Sequence, residues 1–288
     1  MLSWNGREDT LRCLESLHCV ETVCVDNGSS DSSAEAVAGR FPEVELVRNA
    51  QNLGYAAGNN AGIRRALDRG ADWVWLVNND VVVEPGAVAA LEAAAVVRPD
   101  AGVLACKVFF AEPPDRLWYA GGRFNLLLGY SGRQDGYGER DDGRFDLLRD
   151  VERATGAAMA VSRAAIERVG LLDEDLFAYV EDVEWCLRIR RSGFAVVFAP
   201  EARVRHRVSA STGGAGSPAS LYYDTRNTLV VCERYRPLPP GLTAFRRGIV
   251  VGAHLAQAAR RPGRRAAVSA VLEARRDLRR GRLGRWGA

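Results

Sequence analysis

The run WVWLVNNDVVV, residues 73–83, passes from an apolar segment into Asn78, Asn79 and Asp80 and then resumes as valine. A carboxylate held at a strand end offers a hard oxygen ligand to Mg2+ or Mn2+, cations commonly bound by one or two carboxylates plus phosphate oxygens. An Asx turn accounts for the same residues without any ligand. A second acidic cluster lies in LFAYVEDVEWCLRIRRSGF, residues 176–194, where Glu181, Asp182 and Glu184 crowd the first turn of a predicted helix that ends in Arg188, Arg190 and Arg191. That polarity suits the helix dipole, and Glu184 and Arg188 form a favourable i,i+4 pair. Acids placed behind Phe177 and Tyr179 can equally include a general base in a partly desolvated pocket.

Two further segments have the form of ligand loops. In CVDNGSSD, residues 24–31, Asp26 stands at the end of a predicted strand and is followed by Asn27, Gly28 and Ser29. Open α/β sheets bind ligands outside the carboxyl ends of their strands, so Asp26 can accept from a base or ribose, although strand–turn–helix punctuation explains it too. In NLGYAAGNNAG, residues 52–62, the spacing of Gly54, Gly58 and Gly62 permits close backbone approach. The following helix N-terminus favours an anion, and turn glycines are an equally good account. His206 closes a strand after Pro200, as a ligand or as a hydrogen-bonded structural residue.

These residues need a scaffold that sets them at strand ends, and the hydrophobic patterning supplies one. Strands are predicted at 22–26, 44–49, 73–78 and 102–110, with helices at 10–20 (capped by Asp9 or Thr10), about 32–39, 54–69 and 85–97. Alternation with short connections argues for a mostly parallel sheet covered by helices. Residues 111–150 read as loops and short hairpins. A strand and short helix follow over 155–170, a helix over 179–193, a strand pair or bent strand over 195–206, and helices over 220–235 and 243–283 with a break near 262. A chain of 288 residues with 47% hydrophobic and 26% charged content is a globular protein with room for a substantial core.

Charge is unevenly spread. Residues 242–288 hold twelve arginines against Glu273 and Asp277, a charge of +10 within a net +3, which leaves −7 for the remainder. With Leu255, Val268, Val271, Leu272, Leu278, Leu283 and Trp286, this tail can lie on an anionic membrane or pack as a solvated terminal helix. The six cysteines form no CxxC pair and read as reduced core thiols, which points to a cytoplasmic setting. No apolar run reaches the roughly 20 residues needed to span a bilayer, and no signal peptide is evident.

Taken in order, WNG (4–6), VDNGSSD (25–31), NLGYAAGNN (52–60), VNNDV (77–81), TGAAMAVSRAAIERVGLLDEDLF (155–177) and YVEDVEWCLRIRRSGF (179–194) resemble family 2 glycosyltransferases of the GT-A fold, the large inverting group. The resemblance covers about residues 1–235, and the subgroup it points to is the bacterial rhamnosyltransferase-like enzymes of cell-wall and O-antigen assembly. It implies an α/β, Rossmann-like GT-A fold with a mostly parallel central sheet, a nucleotide-binding half over about 1–105 and an acceptor and catalytic half over 106–235. A basic helical extension over 236–288 follows. The first strand would be truncated, since Met1–Trp4 supply only its last residues.

The resemblance also implies roles. Asp26 would contact the base, with Asn27 and Ser29 in the same donor loop; Asn52 to Asn59, including Gly54 and Gly58, would line ribose and diphosphate. Asn78, Asn79 and Asp80 occupy the family's DxD site, with Asp80 as metal-binding carboxylate and Asn78 in place of the first Asp, a change that weakens the electrostatic clamp. His206 would be a further metal or diphosphate contact. Asp182 would be the general base, with Glu181 next in line. The implied activity is metal-dependent (Mg2+ or Mn2+) hexosyl transfer from a nucleotide sugar, dTDP-rhamnose favoured, to a glycan or lipid-linked acceptor in cell-envelope polysaccharide synthesis. The chain would work in the cytoplasm or peripherally at the inner face of the plasma membrane, with no nucleic-acid partner. The rival readings are a non-catalytic sugar-nucleotide- or glycan-binding homologue and a sugar nucleotidyltransferase, whose basic phosphate loop WNGRED fits poorly.

Overall fold

The computed structural model describes residues 1–17, 19–129, 134–208 and 216–287. Strand β1 (Leu2–Ser3) is only two residues long and pairs parallel with β2 (Val23–Asp26), which pairs parallel with β3 (Glu45–Arg48). A parallel bridge from Leu2 to Asn78 joins this sheet to the end of β4 (Trp73–Val77). Beyond it the order is β4, β9 (Ala158–Ser162), β6 (Ala101–Phe110), β10 (Ala195–His206) and β5 (Val81–Val83). Two short strands, β7 (Leu117–Tyr119) and β8 (Arg149–Asp150), pair with β6 and β10.

Strand direction explains where the site can lie. β1, β2, β3, β4, β6 and β10 run one way, while β5, β7, β8 and β9 run against them. The mostly parallel expectation therefore holds, with β9 inserted antiparallel between β4 and β6. Parallel strands share one carboxyl end, and Asp26, the Asn78–Asp80 run and His206 all fall there. The sequence 195–206 forms one bent strand: its register slips beside Ala195 and again between Ala199 and Arg203, around Pro200.

The helices follow their apolar stripes. They are α1 (Arg7–Ser16), α2 (Ser33–Arg40), α3 (Gly54–Asp68), α4 (Ala87–Val97), α5 (Arg163–Val169) and α6 (Glu181–Arg191). α1 starts earlier than its predicted cap, because Gly6 takes the left-handed conformation at φ 79° and Thr10 instead bonds inward to Ser3 and Asn79. A cavity of about 350 Å3 lies between β2 and β4, bordered by Met1, Val23, Asn59 and Trp75.

Three C-terminal helices, α7 (Pro218–Tyr235), α8 (Pro240–Ala259) and α9 (Arg264–Arg279), share a core of Leu221, Leu229, Val250, Val251, Ala267 and Val271. Ser217 caps α7 by accepting from the Ser220 amide, and Pro218 follows where a missing N–H costs nothing. The tail's apolar residues mostly turn inward: Leu255, Val268 and Leu278 pack against this core, and the Trp286 ring stacks on Tyr222. The exposed apolar face belongs to α8, where Leu242, Phe245 and Ile249 are 54%, 64% and 36% exposed. No helix of the described residues is long and apolar enough to cross a membrane. All six cysteines are free thiols, five of them buried, with Cys19 exposed.

Candidate functional site

Asp80 follows β4 in a two-residue turn that sends the chain back as β5, and β5 pairs antiparallel with the end of β10 so that Val81 faces His206. This register sets His206 Nε2 3.1 Å from Asp80 Oδ1, with both side chains almost fully buried. The Arg207 amide donates to the Asp80 carbonyl at 2.9 Å, and Trp118 meets the imidazole edge-on, with ring centroids 4.6 Å apart. His206 Nδ1 is buried without a hydrogen-bond partner among the described residues. Asn79 does a different job: its Nδ2 donates to the Asn5 carbonyl and to Thr10 Oγ1, which ties the turn to β1 and α1. Among the described residues no group of three or more His, Cys, Asp or Glu side chains is gathered for a metal.

The end of β2 is equally organised. Asp26 Oδ2 accepts from the Ser29 amide at 3.2 Å, while its Oδ1 is buried with no partner among the described residues. Asn27 is fully engaged, donating to Asn52 Oδ1 and the Gly54 carbonyl and accepting from Asn49 Nδ2 and the Leu53 amide. Ser29 Oγ accepts from the Asn5 amide, and Asn59 Nδ2 donates to the Tyr55 carbonyl.

The start of α3 is tied to a distant segment. The amides of Tyr55 and Ala56 donate to the Phe177 carbonyl at 2.6 and 3.2 Å, and the Gly54 amide donates to Asn52 Oδ1. These first-turn donors are used within the protein. Gly54 is required by the contact: its φ is +89°, and a Cβ there would lie 2.6 Å from the Phe177 carbonyl oxygen. At Gly58 a Cβ would lie 2.6 Å from Leu2 Cδ1, so this glycine lets β1 pack close against α3.

The segment that plugs α3 also launches α6. Phe177, Tyr179 and Val180 all have positive φ, between 63° and 71°, an unusual run that throws Glu181 and Asp182 into the first turn. Asp182 Oδ2 accepts from the Gly156 amide at 2.7 Å, and its Oδ1 from the Val183 amide at 2.7 Å. Glu181 is 5% exposed; burial first, and then the Asp182 charge, raise its carboxyl well above the usual range. Tyr55 feels the charges of this pair and of Asp80. Its hydroxyl donates to the Gly156 carbonyl at 2.6 Å, and burial, with the charges of Glu181, Asp182 and Asp80, pushes its pKa up. Glu184 takes the structural part foreseen for it, accepting from Arg188 Nε at 2.8 and 2.9 Å.

A cavity of about 380 Å3 opens over this arrangement, walled by Asn27, Asn52, Gly54, Asn78, Asn79 and Asp80. Asp26, Ser29, Gly58, Asn59, Glu181, Asp182 and His206 lie outside its wall, His206 joined to Asp80 and Asp182 linked to Tyr55 through Gly156. The wall also includes Tyr55, Phe177, Tyr179, Tyr223, Arg285 and Trp286. The last three were missed by the sequence reading. Tyr223 sits in a helix that reads as ordinary packing, and Arg285 and Trp286 in a tail whose charge reads as solvated surface.

Comparison with known proteins agrees with this architecture. A family model described as "Glycosyltransferase like family 2" matches residues 11–221. The Mycobacterium tuberculosis N-acetylglucosaminyl-diphospho-decaprenol L-rhamnosyltransferase is 32% identical over 213 residues, covering 67% of this chain and 68% of the relative. The Shigella flexneri dTDP-rhamnosyl transferase RfbF is 25% identical over 222 residues, covering 74% of this chain and 70% of the relative. Among solved structures, GalNAc-T7 with UDP, GalNAc and Mn2+ superposes with a TM-score of 0.61 at 17% identity, covering 86% of this chain and 53% of that one. With its strand-end carboxylates and its match over most of its length, the chain belongs to glycosyltransferase-like family 2 and carries a GT-A-like fold, that of nucleotide-sugar-dependent glycosyl transfer.

Proposed function

We propose that the chain is an inverting hexosyltransferase that takes a sugar from a nucleotide sugar, dTDP-rhamnose favoured, to a glycan or lipid-linked acceptor of the cell envelope. The observation that carries this reading is the Asp80–His206 pair at the sheet's carboxyl end beside a ligand-sized cavity, with a second carboxylate pair linked to the cavity wall through Gly156 and Tyr55. The donor preference rests on the two relatives named as rhamnosyltransferases.

In this reading the unpartnered Asp26 Oδ1 accepts the imide N–H of a thymine or uracil base. Asp80 and His206 would hold the cation with one hard oxygen and one imidazole nitrogen, donor types that suit Mg2+ or Mn2+. When bound, such a cation neutralises charge on the departing diphosphate. Asp182 takes the proton of the acceptor hydroxyl as its oxygen bonds to the anomeric carbon, the bond to the diphosphate breaks on the opposite face, and configuration inverts. The two backbone amides on Asp182 hold its carboxylate in place for that step. Residues 1–235 form the transferase part and 236–288 an extension, with α7 packed against both.

A peripheral membrane position at the cytoplasmic face is part of the same reading. The exposed Leu242, Phe245 and Ile249 share one face of α8, and the arginines of α9 give this end of the molecule its charge. Binding to phosphatidylglycerol vesicles but not to neutral ones, lost in Phe245→Asp, is the expected result; equal sedimentation with both vesicles removes it. For the chemistry, Asp182→Asn is expected to lower transfer by about a hundred- to ten-thousand-fold, with donor affinity unchanged. Strong residual turnover would move the base to another residue.

A further inference from the structure

The part of the chain that the family match covers ends at Leu221, yet Arg285 and Trp286 form part of the cavity wall beside Asp80. Both flanks of Arg285 are pinned. The Gly284 amide donates to the Asp175 carbonyl at 2.6 Å, and the Gly284 carbonyl accepts from the fully buried Arg226 at 2.8 Å. On the other side the Trp286 amide donates to Tyr223 Oη at 2.8 Å and the indole N–H to Glu273 Oε2 at 2.9 Å. The indole also stacks on Tyr222 at 4.8 Å and 12°. Arg285 itself is exposed, and no ion pair to it is formed among the described residues. Burial raises the pKa of the Tyr223 phenol, while the Trp286 amide and the charges of Arg226 and Arg285 act against that rise, as expected of a guanidinium close by.

Electrostatics gives this placement a purpose. A nucleoside diphosphate brings at least two negative charges to a cavity whose wall already holds Asp80. The first-turn amides of α3 are occupied by Phe177 and Asn52, and Asn78 stands where the resemblance expects the first carboxylate of the DxD site. Among the described residues of the wall, Arg285 is the single cationic side chain. We propose that the segment Gly284–Trp286 is a built wall of the donor site and that Arg285 binds the diphosphate of the nucleotide sugar. The planar guanidinium donates two parallel N–H bonds to phosphate oxygens, and Trp286 and its tethers keep it aimed. This inference rests on the donor-site reading above.

The test is titration of nucleoside diphosphates and the matching monophosphates (dTDP and dTMP, UDP and UMP) into the full chain with Mn2+. Wild type is compared with Arg285→Ala, Arg285→Lys and Arg280→Ala, the last an exposed tail arginine outside the cavity. For the diphosphate that wild type binds, Arg285→Ala is expected to weaken affinity by about 10- to 100-fold, as for loss of a charge-assisted hydrogen bond. Its monophosphate, which brings only one phosphate and less charge to the guanidinium, should change by less than about 3-fold. Arg285→Lys should recover part of the loss, and Arg280→Ala should match wild type. Equal losses for both nucleotides, no loss, or the same loss in Arg280→Ala would overturn the role of Arg285 alone. A wild-type chain that binds no diphosphate would overturn the donor-site reading and this inference with it.

Discussion

The peptide of Gly156 ties the candidate base to the cavity wall, and it can be broken selectively. Its N–H donates to Asp182 and its carbonyl accepts from Tyr55 Oη. A Cβ at Gly156 would stand 2.7 Å from Tyr55 Oη, 3.1 Å from Cζ and 3.3 Å from Cε1. Gly156→Ala must therefore swing the Tyr55 ring and break its hydrogen bond. Overpacking of this kind costs roughly 1–3 kcal/mol, and the lost bond roughly 0.5–1.5 kcal/mol. The expected destabilisation is about 2–4 kcal/mol. Tyr55→Phe removes the oxygen that makes the worst contact and costs about 1 kcal/mol by itself. In that background the methyl group added by Gly156→Ala meets only ring carbons, which need yield by a few tenths of an ångström, and its cost should fall to about 1 kcal/mol. Urea denaturation of the four proteins gives the cycle directly, with an expected coupling of about 1–3 kcal/mol. Additivity to within about 0.5 kcal/mol would refute the claim that Tyr55 is what Gly156 accommodates.

Two further outcomes follow from charge and a third from packing. Burial opposes the charged form of His254, but Asp224, 3.1 Å from Nε2, and the Val250 carbonyl outweigh it, so the imidazole pKa is raised. A raised folded value means that this contribution to docking of α8 on α7 is complete below about pH 6.5 and fades as pH rises through the folded value. Denaturation from pH 5.5 to 9 should show that decline in wild type and a flatter profile in His254→Gln; identical profiles would count against the ion pair. Glu181, whose carboxyl pKa is raised by burial and by the Asp182 charge, is destabilising once the unfolded chain can ionise it, so Glu181→Gln should be at least as stable as wild type at pH 8 and less favoured only in acid. A clear loss of stability at pH 8 would show that the carboxylate is used in the folded state. A larger side chain at Gly58 would strike Leu2 and Asn27, so Gly58→Leu should unfold the β1 edge and lower the melting temperature, whereas Gly39→Ala, with open space around its Cβ position, should not.

The parallel strands β2, β3 and β4 and their helices could be read from alternation, because each of these strands is a short, largely apolar run closed by a polar turn. Asp26, Asp80, Asp182 and His206 could be singled out for the same reason: a carboxylate or imidazole at a strand end or helix start is conspicuous against valines. What could not be read were contacts made by distant segments in uncommon backbone conformations. The plug on α3 needs Phe177 at φ 63° beside Gly54 at φ +89°, and nothing in either tripeptide announces the other. The antiparallel β9 lies between β4 and β6 although the chain reaches it after both. Arg285 was lost among twelve tail arginines, since its neighbours' tethers, not its own type, bring it to the cavity.

The most direct test of a metal-assisted donor site is calorimetric titration of the chain with dTDP, UDP and GDP, each with and without Mn2+, repeated on Asp80→Ala. One nucleotide is expected to bind in Mn2+ and to lose at least about 10-fold in affinity, or 1.4 kcal/mol, when either the cation or the Asp80 carboxylate is removed. Binding that is indifferent to Mn2+ and to Asp80→Ala would contradict the assignment of Asp80 and, with it, the proposed chemistry.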